Sequence, residues 1–380
     1  MKIGLLGFGV VGRGVYDILA ERKDVTVGAV LCRRDLGKLT ARTTREMDDI
    51  LADPEIEAVV EVMGGLHPAY EYVSAALRAG KHVVTSNKHL LCRYYEELTA
   101  LAKEHGVALR ATAAVGGGIP WLVNLERAAR ADRISKISGI MNGTTNYIMD
   151  AMHRRGADFG EVLRQAQELG YAEADPSADI DGWDIQRKLI ISAGAAFGVC
   201  LKEEDVPVFG IRNVKAEDIR RFSERGLTCK LIASAERLAD SVAACVEPTL
   251  LGADSLEASV PANFNLISFE SEYAGRQSFF GQGAGRYPTA YNVVQDLVDV
   301  AGGKRGFYTD SFVPAGTNNA GALRRYYIRT SAALPELDAM AREQWDGAIV
   351  TIPVSVAQMH MLAEQMLELD PQAFFAAIAE

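Results

Sequence analysis

Cysteine and histidine are scarce in this sequence, and neither occurs at the spacing of a metal site. The five cysteines are odd in number and include no CxxC pair, and the six histidines form no HExxH motif. The GxSxG sequence that surrounds many nucleophilic serines is also absent. Zinc chemistry and serine-nucleophile chemistry therefore have no support in the sequence. Unpaired cysteines are typical of proteins in the reducing cytoplasm, which is the location that we predict.

The sequence also lacks a long hydrophobic run and an excess of positive charge. No apolar stretch approaches the about 18 residues of a membrane span. The first residues, MKIGLLGFGVVG, are interrupted by glycines and lack the small-residue cleavage site of a signal peptide. A formal net charge of −10 argues against nucleic acid as the main partner. At 380 residues, the chain is long enough for two or three domains, and we expect a small-molecule substrate as its partner.

Glycine marks a dinucleotide-binding motif at the amino terminus. An apolar run over residues 1–6 is followed by GFGVVG, in which Gly7, Gly9 and Gly12 form GxGxxG. The helical pattern VVGRGVYDILAER and a second apolar run, VTVGAVL, come next. In this context the glycines let the backbone approach a pyrophosphate at the N-terminus of a helix. The predicted cofactor contacts in this turn are Gly7, Phe8, Gly9, Val10, Val11 and Gly12.

The residues after the second apolar run indicate which dinucleotide is bound. NAD-binding proteins usually have an acidic residue here, which binds the 2′-hydroxyl of the ribose. This sequence instead has Arg33 and Arg34, followed by Asp35. Guanidinium groups suit a 2′-phosphate, so NADP is the favoured cofactor. NAD is the alternative, if Asp35 reaches the ribose or the two arginines only face solvent.

Further strand ends of the same domain carry polar residues. The run AVVEVMGG is predicted to be a strand that enters a turn at Gly64, and KHVVTSNK is a strand that ends at Ser86 and Lys88. The carboxyl ends of strands in an open parallel sheet face the ligand crevice. We therefore expect Gly64, Ser86 and Lys88 at the cofactor. The alternative for Lys88 is a solvated loop residue.

A dense acidic stretch, YAEADPSADIDGWDIQRK, covers residues 171–188. By itself it fits a solvated loop that precedes a helix, because aspartate favours turns and helix N-caps. Asp181 is predicted to be the N-cap of that helix. Helical spacing places Asp181, Asp184 and Lys188 on one face.

Several motifs together resemble the homoserine dehydrogenase family. They follow one another over about residues 1–305: GLLGFGVVGRGV, VVEVMGG, TSNK, VGGGIP, NGTTNYI, AQELGYAEADPSADIDGWDIQRKL and GAGRYPTA. The resemblance implies NAD(P)-dependent interconversion of L-homoserine and L-aspartate 4-semialdehyde, in the pathway to threonine, methionine and isoleucine. It implies an α/β fold, with a Rossmann-type domain over 1–130, a return helix near 288–303, and an α+β catalytic and dimerisation domain over 131–287. A homodimer or a homotetramer is expected.

The resemblance also implies roles for individual residues. Lys188 matches the catalytic lysine of the family, and Lys88 matches a second lysine at the nicotinamide end of the cleft. Glu173 and Asp184 would hold homoserine, with Asp179 and Tyr171 close to it; Asp184 also counts as part of the catalytic group. Gly170 and Gly283 match positions that approach the cofactor. Two alternatives are a related oxidoreductase of another amino-acid semialdehyde and a nucleotide-binding sensor without catalysis.

Two departures from the family pattern concern a cation and the tail. Relatives usually have a glutamate at the position of Thr112, which binds a monovalent cation together with backbone carbonyls. The carbonyls of Val115, Gly117 and Ile119 are present here, but the anionic ligand is missing, so we expect a weak or empty cation site. Residues 320–380 resemble a ligand-sensing ACT domain. They are expected to lack part of its βαββαβ unit and to act as a structural cap.

Overall fold

The computed structural model describes residues 1–304, 308–309, 312–313 and 316–379. These residues divide into two units. The first comprises Met1–Arg133, Ile191–Cys200 and Gly281–Val313, and the second comprises Ile134–Ile190, Leu201–Phe280 and Pro314–Glu380. The domain boundaries expected from the sequence did not include Ile191–Cys200 in the first unit.

Strands and helices alternate over the first 130 residues. Their bounds are β1 Lys2–Leu6, α1 Val10–Ala20, β2 Thr26–Leu31, β3 Arg42–Thr44, α2 Asp48–Leu51, β4 Ile56–Glu61, α3 Ala69–Arg78, β5 His82–Thr85, α4 Lys88–Glu104, β6 Leu109–Arg110 and α5 Trp121–Ala129. The six strands form one parallel sheet in the order β3-β2-β1-β4-β5-β6. This is the Rossmann-type arrangement that the glycine motif predicts.

The parallel sheet has an apolar layer on each face. Ile3 and Leu5 of β1 belong to one buried cluster, whereas Leu6 belongs to another. In β4, Val60 belongs to the first cluster and Val59 to the second. Successive side chains of a strand point to opposite faces, so both faces are covered by apolar residues. This explains why the strands are continuous apolar runs in the sequence.

The next segment contains the elements of the second unit and the return helix. Their bounds are β7 Ile134–Ile140, α6 Gly143–Arg155, α7 Phe159–Glu168, α8 Ser177–Ile180, α9 Trp183–Phe197, α10 Ala216–Ser223, β8 Leu227–Arg237, β9 Ser241–Gly252, β10 Phe264–Ser271, β11 Gly275–Gln282 and α11 Arg286–Ala301. Helix α11 belongs to the first unit and packs closely on α1. A Cβ atom at Gly14 of α1 would lie 2.8 Å from the carbonyl oxygen of Arg286.

The tail contains more structure than the sequence analysis expected. Its bounds are β12 Gly316–Thr317, β13 Leu323–Arg329, α12 Pro335–Met340, β14 Ala341–Trp345, β15 Ala348–Thr351, β16 Val354–Ser355, α13 Val356–Leu369 and β17 Phe374–Ile378. The elements β13, α12, β14, β15, α13 and β17 make a complete βαββαβ series, so the expectation of a missing part was wrong. Strands β14 and β17 are the elements of this series that the sequence pattern did not indicate.

The tail extends the main sheet of the second unit. In the described residues this sheet has the order β11-β10-β7-β8-β9-β17-β13-β15-β14. Strand β17 joins it through parallel pairing with β9, where Ala377 lies opposite Thr249. The tail therefore packs on its own chain.

Candidate functional site

The glycine turn after β1 leaves its outer side open. Gly7 has a φ of 97°, and a Cβ atom at Gly12 would lie 2.2 Å from the Gly7 carbonyl oxygen. A side chain is therefore sterically excluded at Gly12. No atom lies within 4 Å of a Cβ atom placed at Gly9. The N-terminus of α1, at Val10 and Val11, is thus accessible to a phosphate group.

A cleft of about 700 Å³ lies at the carboxyl ends of β1, β2 and β4. Its lining residues are Gly7, Phe8, Gly9, Leu31, Cys32, Arg33, Arg34, Arg45, Val62, Met63, Gly64, His67, Pro68 and Tyr72. Six of the expected cofactor residues are among them: Gly7, Phe8, Gly9, Arg33, Arg34 and Gly64. Arg45 is an addition that no motif marks, because it follows the three-residue strand β3. The cleft thus has three guanidinium groups near the ends of β2 and β3.

Asp35 takes part in a local turn. Its Oδ1 accepts a hydrogen bond from the backbone N–H of Gly37 at 2.9 Å. Asp35 does not line the cleft, whereas Arg33 and Arg34 do. The local electrostatics beside the glycine turn are therefore positive, which favours an anionic group there.

Glu61, the last residue of β4, connects the ends of β4 and β5 and the turn that follows β4. It is fully buried, and its Oε1 accepts hydrogen bonds from the N–H groups of Met63 at 2.8 Å and Gly64 at 3.2 Å. Its Oε2 accepts from the Thr85 hydroxyl at 2.6 Å. Burial raises the pKa of Glu61, while these hydrogen bonds lower it. The sequence analysis did not single out Glu61, although a charged residue inside an apolar strand was a signal.

Asn87 positions the start of α4, where Lys88 lies. Its Oδ1 accepts from the N–H of Leu90 at 3.2 Å, and its Nδ2 donates to the Gly65 carbonyl at 2.7 Å. Lys88 and Ser86 are half-buried at the carboxyl end of β5. The structure thereby places both residues at the edge of the sheet that the strand pattern indicated.

Lys188 and Asp184 form a nearly buried ion pair in the second unit. The ammonium nitrogen of Lys188 lies 2.7 Å from Asp184 Oδ2, and it donates to the Met141 carbonyl at 2.6 Å. Lys188 is 7% exposed and Asp184 is 6% exposed. A charged pair with so little solvent contact needs well-placed partners. A solvated interpretation of the acidic stretch is therefore wrong for Asp184 and Lys188.

Asn142 connects this ion pair to a second carboxylate. Its Nδ2 donates to Asp184 Oδ2 at 2.9 Å and to Asp179 Oδ1 at 2.7 Å. Its Oδ1 accepts from the Thr145 N–H at 2.9 Å, so Asn142 is also the N-cap of α6. Asn142 belongs to the family motif NGTTNYI, but it was not among the predicted site residues. An asparagine before a helical pattern predicts that the asparagine caps the helix. The same pattern does not predict a contact with residues about 40 positions away.

Asp179 has an unusual electrostatic environment. Burial and then the neighbouring Asp184 carboxylate raise the pKa of Asp179, while Asn142 and Lys188 act in the opposite direction. Two carboxylates, an amide and an ammonium group therefore meet here. Such a cluster can bind a cationic amine and can transfer a proton.

The remaining residues of the acidic stretch are more exposed. Tyr171 is 40% exposed, packs edge-on against Tyr147, and accepts a hydrogen bond from Thr144 at its carbonyl. Glu173 is exposed in the loop before α8, where its carbonyl accepts from Gln167. Gly170 lies at the end of α7 with a φ of 74°.

Asp181 does not have its expected position. Helix α9 begins at Trp183, so Gly182 precedes it, and Asp181 instead ends α8. Its two carboxylate oxygens accept from Arg212, each at 2.7 Å. The prediction of an Asp181 N-cap was wrong because the acidic stretch forms two helices and not one.

The described residues contain no group of three or more histidine, cysteine, aspartate or glutamate side chains that could hold a metal ion. Among the residues with described structure, none of the helices combines the length and the apolar character that a membrane crossing requires.

Gly283 packs on the loop before α5, where a Cβ atom at Gly117 would lie 2.5 Å from the Gly283 carbonyl oxygen.

Comparison with protein families gives two matches. Residues 7–111 match the family model "Homoserine dehydrogenase, NAD binding domain", and residues 120–298 match the model "Homoserine dehydrogenase". The homoserine dehydrogenase of Bacillus subtilis is 40% identical over 328 residues, which cover 82% of this chain and 76% of that protein. That of Synechocystis is 42% identical over 318 residues, which cover 80% of this chain and 73% of that protein.

Solved structures give the same result. A homoserine dehydrogenase from Thiobacillus denitrificans has a TM-score of 0.88 at 32% identity, covering 100% of this chain and 98% of the other. A hyperthermophilic archaeal homoserine dehydrogenase in complex with NADPH has a TM-score of 0.69 at 26% identity, covering 81% of this chain and 99% of the other.

Proposed function

The chain belongs to the homoserine dehydrogenase family, and from this premise we propose which of its residues carry out the reaction. The family reaction is the NAD(P)-dependent interconversion of L-homoserine and L-aspartate 4-semialdehyde, so the chain is an oxidoreductase. The relatives favour neither another semialdehyde as the substrate nor a sensor without catalysis.

Lys188 is the proposed proton donor. The bound dinucleotide supplies a hydride to the aldehyde carbon in the reduction and accepts it in the oxidation. Lys188 gives a proton to the aldehyde oxygen in the reduction and takes it back from the hydroxyl group in the oxidation. The observation that carries this role is the Lys188 ammonium group, held 2.7 Å from Asp184 and 2.6 Å from the Met141 carbonyl in a nearly buried position.

The carboxylates have two proposed roles. Asp184 orients the Lys188 ammonium group and shares in binding the substrate. Asp179 and Glu173 bind the substrate ammonium group, with Tyr171 next to it. Asp179 suits this role because Asn142 holds its Oδ1 at 2.7 Å, which fixes the carboxylate before the substrate arrives. A cationic amine would favour the ionised form of Asp179.

The first unit is proposed to bind NADP, with NAD as the weaker cofactor. Arg33, Arg34 and Arg45 line the same cleft as the glycine turn, and guanidinium groups match a 2′-phosphate. Lys88 and Ser86 are proposed to contact the nicotinamide end, and Gly170 and Gly283 to approach the cofactor. A hyperthermophilic archaeal homoserine dehydrogenase has been solved in complex with NADPH, which supports the proposal that NADP can bind.

We also propose a homodimer or a homotetramer that acts in the cytoplasm. Strand β11 lies at one end of the main sheet, and an edge strand offers backbone groups for pairing. Phe280 on this strand is 55% exposed, and Tyr273 beside it is 79% exposed. The five cysteines are free thiols, as expected in a reducing compartment.

One assay tests the proposed function. Purified protein is mixed with L-aspartate 4-semialdehyde and NADPH, and cofactor oxidation is followed by absorbance, with NADH in parallel. We expect turnover with both cofactors and a higher kcat/KM with NADPH. An enzyme that oxidises NADPH only with a different aldehyde would overturn the substrate assignment, and a preference for NADH would overturn the cofactor assignment.

A further inference from the structure

The loop between β6 and α5 is where the family pattern implies a monovalent cation. The ligands concerned are the backbone carbonyl oxygens of Val115, Gly117 and Ile119, together with the carboxylate that relatives have at the position of Thr112. In this chain most of the loop is buried: Val115 is 0% exposed and Ile119 is 2% exposed, whereas Gly118 is partly exposed. The contacts of these groups show whether a cation fits.

Two of the three carbonyls are bound by one side chain. The amide nitrogen of Asn292, on α11, donates to the Gly117 carbonyl at 2.6 Å and to the Ile119 carbonyl at 3.1 Å. The Ile119 carbonyl also accepts from the N–H of Trp121 at 2.8 Å, which uses both of its lone pairs. Asn292 is 1% exposed. The amide nitrogen thus lies between the carbonyls that a cation would bring together.

The position of the missing carboxylate is also bound internally. The Thr112 hydroxyl donates to Asp296 Oδ1 at 2.7 Å, and the Thr112 N–H donates to Asp296 Oδ2 at 2.8 Å. Asp296 lies four residues after Asn292 on α11, so one helix face contacts both ends of the loop. Both oxygens of the nearest carboxylate are therefore occupied by donors of the chain.

The chain itself also supplies the positive charge that a bound cation would contribute. Arg110, at the end of β6, is 2% exposed, and its Nε lies 3.8 Å from Asp296 Oδ1. Its Nη1 donates to Glu126 at 2.9 Å, and its guanidinium group lies 4.3 Å from the centre of the Tyr308 ring. Glu126 also pairs with Arg130 at 2.9 Å, so two guanidinium groups balance the charges of Asp296 and Glu126 without an added ion.

We propose that Asn292 and Arg110 replace the monovalent cation in this chain. The Asn292 amide holds the loop carbonyls together, and Arg110 supplies positive charge beside Asp296. Sodium or potassium ions are therefore not required for stability or turnover. The loop matters for the cofactor because Gly117 packs directly on Gly283. This inference goes beyond the proposed function, since it concerns the ions that the enzyme needs and not its substrate.

The first test uses the full-length wild-type protein without alkali-metal ions. Sodium chloride or potassium chloride is titrated against choline chloride at constant ionic strength, and both the melting temperature and turnover are measured. We expect the same values in all three salts. A saturable rise with sodium or potassium, but not with choline, would overturn the proposal. The melting temperature gives an answer even if the substrate assignment is wrong.

The second test uses variants. Asn292→Ala frees two carbonyls, so we expect a lower melting temperature that sodium or potassium partly restores. The double variant Asn292→Ala/Thr112→Glu adds the anionic ligand and should respond to lower ion concentrations. Asn124→Ala is the matched control, because Asn124 also donates to a backbone carbonyl, that of Pro120 at 2.6 Å, but lies at the surface. An Asn292→Ala protein as stable as the control, with no response to ions, would contradict the role of Asn292.

Discussion

Lys188 and Asn142 donate to the same oxygen atom, Oδ2 of Asp184, at 2.7 and 2.9 Å. The two donors come from different elements, one from α9 and one from the cap of α6. Their shared acceptor fixes the ammonium group relative to the second carboxylate, Asp179, which Asn142 also contacts. This geometry supports separate predictions for the proton donor and for the residue that positions it.

Replacing Lys188 with alanine should lower kcat by a factor on the order of 10²–10⁴, as for a lost general acid. The proposed NADPH site lies in the other unit, so the Kd of NADPH should hardly change. Steady-state kinetics and fluorescence titration measure the two effects. Lys304→Ala is the matched control, because Lys304 also pairs with a carboxylate, Asp299 at 2.8 Å, but is exposed. A Lys188→Ala enzyme with wild-type turnover would remove Lys188 from the mechanism.

Replacing Asn142 with serine separates its role as the N-cap of α6 from its role in positioning the carboxylates of Asp179 and Asp184. Serine is also a good N-cap, so the melting temperature should stay close to that of the wild type. The amide that donates to Asp179 and Asp184 is lost, so the pKa of Asp179, already raised by burial and by Asp184, should rise further. Asp179 then loses its charge at a higher pH, and the acidic limb of the kcat/KM profile should move to higher pH. An unshifted profile would mean that Asn142 only caps α6.

Replacing Arg33 and Arg34 with serine should weaken the binding of NADPH far more than the binding of NADH. Charge-assisted hydrogen bonds contribute about 1.5–3 kcal/mol each, so the loss of two of them should lower kcat/KM with NADPH by a factor on the order of 10²–10⁴. Adding Arg45→Ser should increase this loss, because Arg45 lines the same cleft. The measurement compares both cofactors for each variant. Equal losses for NADPH and NADH would show that these arginines do not bind the 2′-phosphate.

Replacing Glu61 with glutamine should impair both cofactor binding and stability. The amide places a donor where the Thr85 hydroxyl or the N–H groups of Met63 and Gly64 now donate to a carboxylate. An unsatisfied buried donor costs about 1–3 kcal/mol. We expect a lower urea midpoint and a higher KM for NADPH, with a smaller effect on kcat. Glu57→Gln, on the same strand but exposed, is the control. If both variants match the wild type, Glu61 does not position the turn.

Replacing Arg324 with alanine should destabilise the attachment of the tail by about 3 kcal/mol. Glu247 is 0% exposed, and Arg324 and His360 contact its carboxylate. We expect the lower end of the free-energy cost of breaking a buried ion pair, since 23% of the Arg324 side chain is exposed. Arg325→Ala is the matched control, because Arg325 is equally exposed but pairs with Glu343, which is 49% exposed. Its loss should cost less than about 1 kcal/mol.

The ion pair between Arg324 and Glu247 also predicts how the stability of the fold depends on pH. Burial would raise the pKa of Glu247, but Arg324 and His360 outweigh burial and lower it. A carboxylate with a lowered pKa stabilises the folded state at neutral pH, and this stabilisation is lost as the pH falls through its folded-state pKa. Without Arg324 the pKa of Glu247 should rise, so the deficit of the variant should be largest at neutral pH and shrink in acid. Urea denaturation at several pH values checks this, and a deficit that is constant with pH would contradict it.

Local patterns were sufficient to predict part of the site. The strand, glycine turn and helix around Gly7 and Gly12 are neighbours in the sequence, so steric and hydrogen-bonding rules for short segments apply to them. The spacing of Asp184 and Lys188 predicted that they lie one helical turn apart, because helical periodicity depends only on sequence distance. The cofactor class and the ion pair could therefore be expected from the sequence.

The tertiary structure alone decided which distant residues complete these sites. Asn142 meets Asp179 and Asp184, and Asn292 meets Gly117, through contacts over 37, 42 and 175 positions. Periodicity carries no information about such contacts, because they depend on how whole elements pack. Strands β14 and β17 of the tail were missed for a related reason: β17 is stabilised by pairing with β9 and β13, and β14 by pairing with β15, and not by their own sequence preferences.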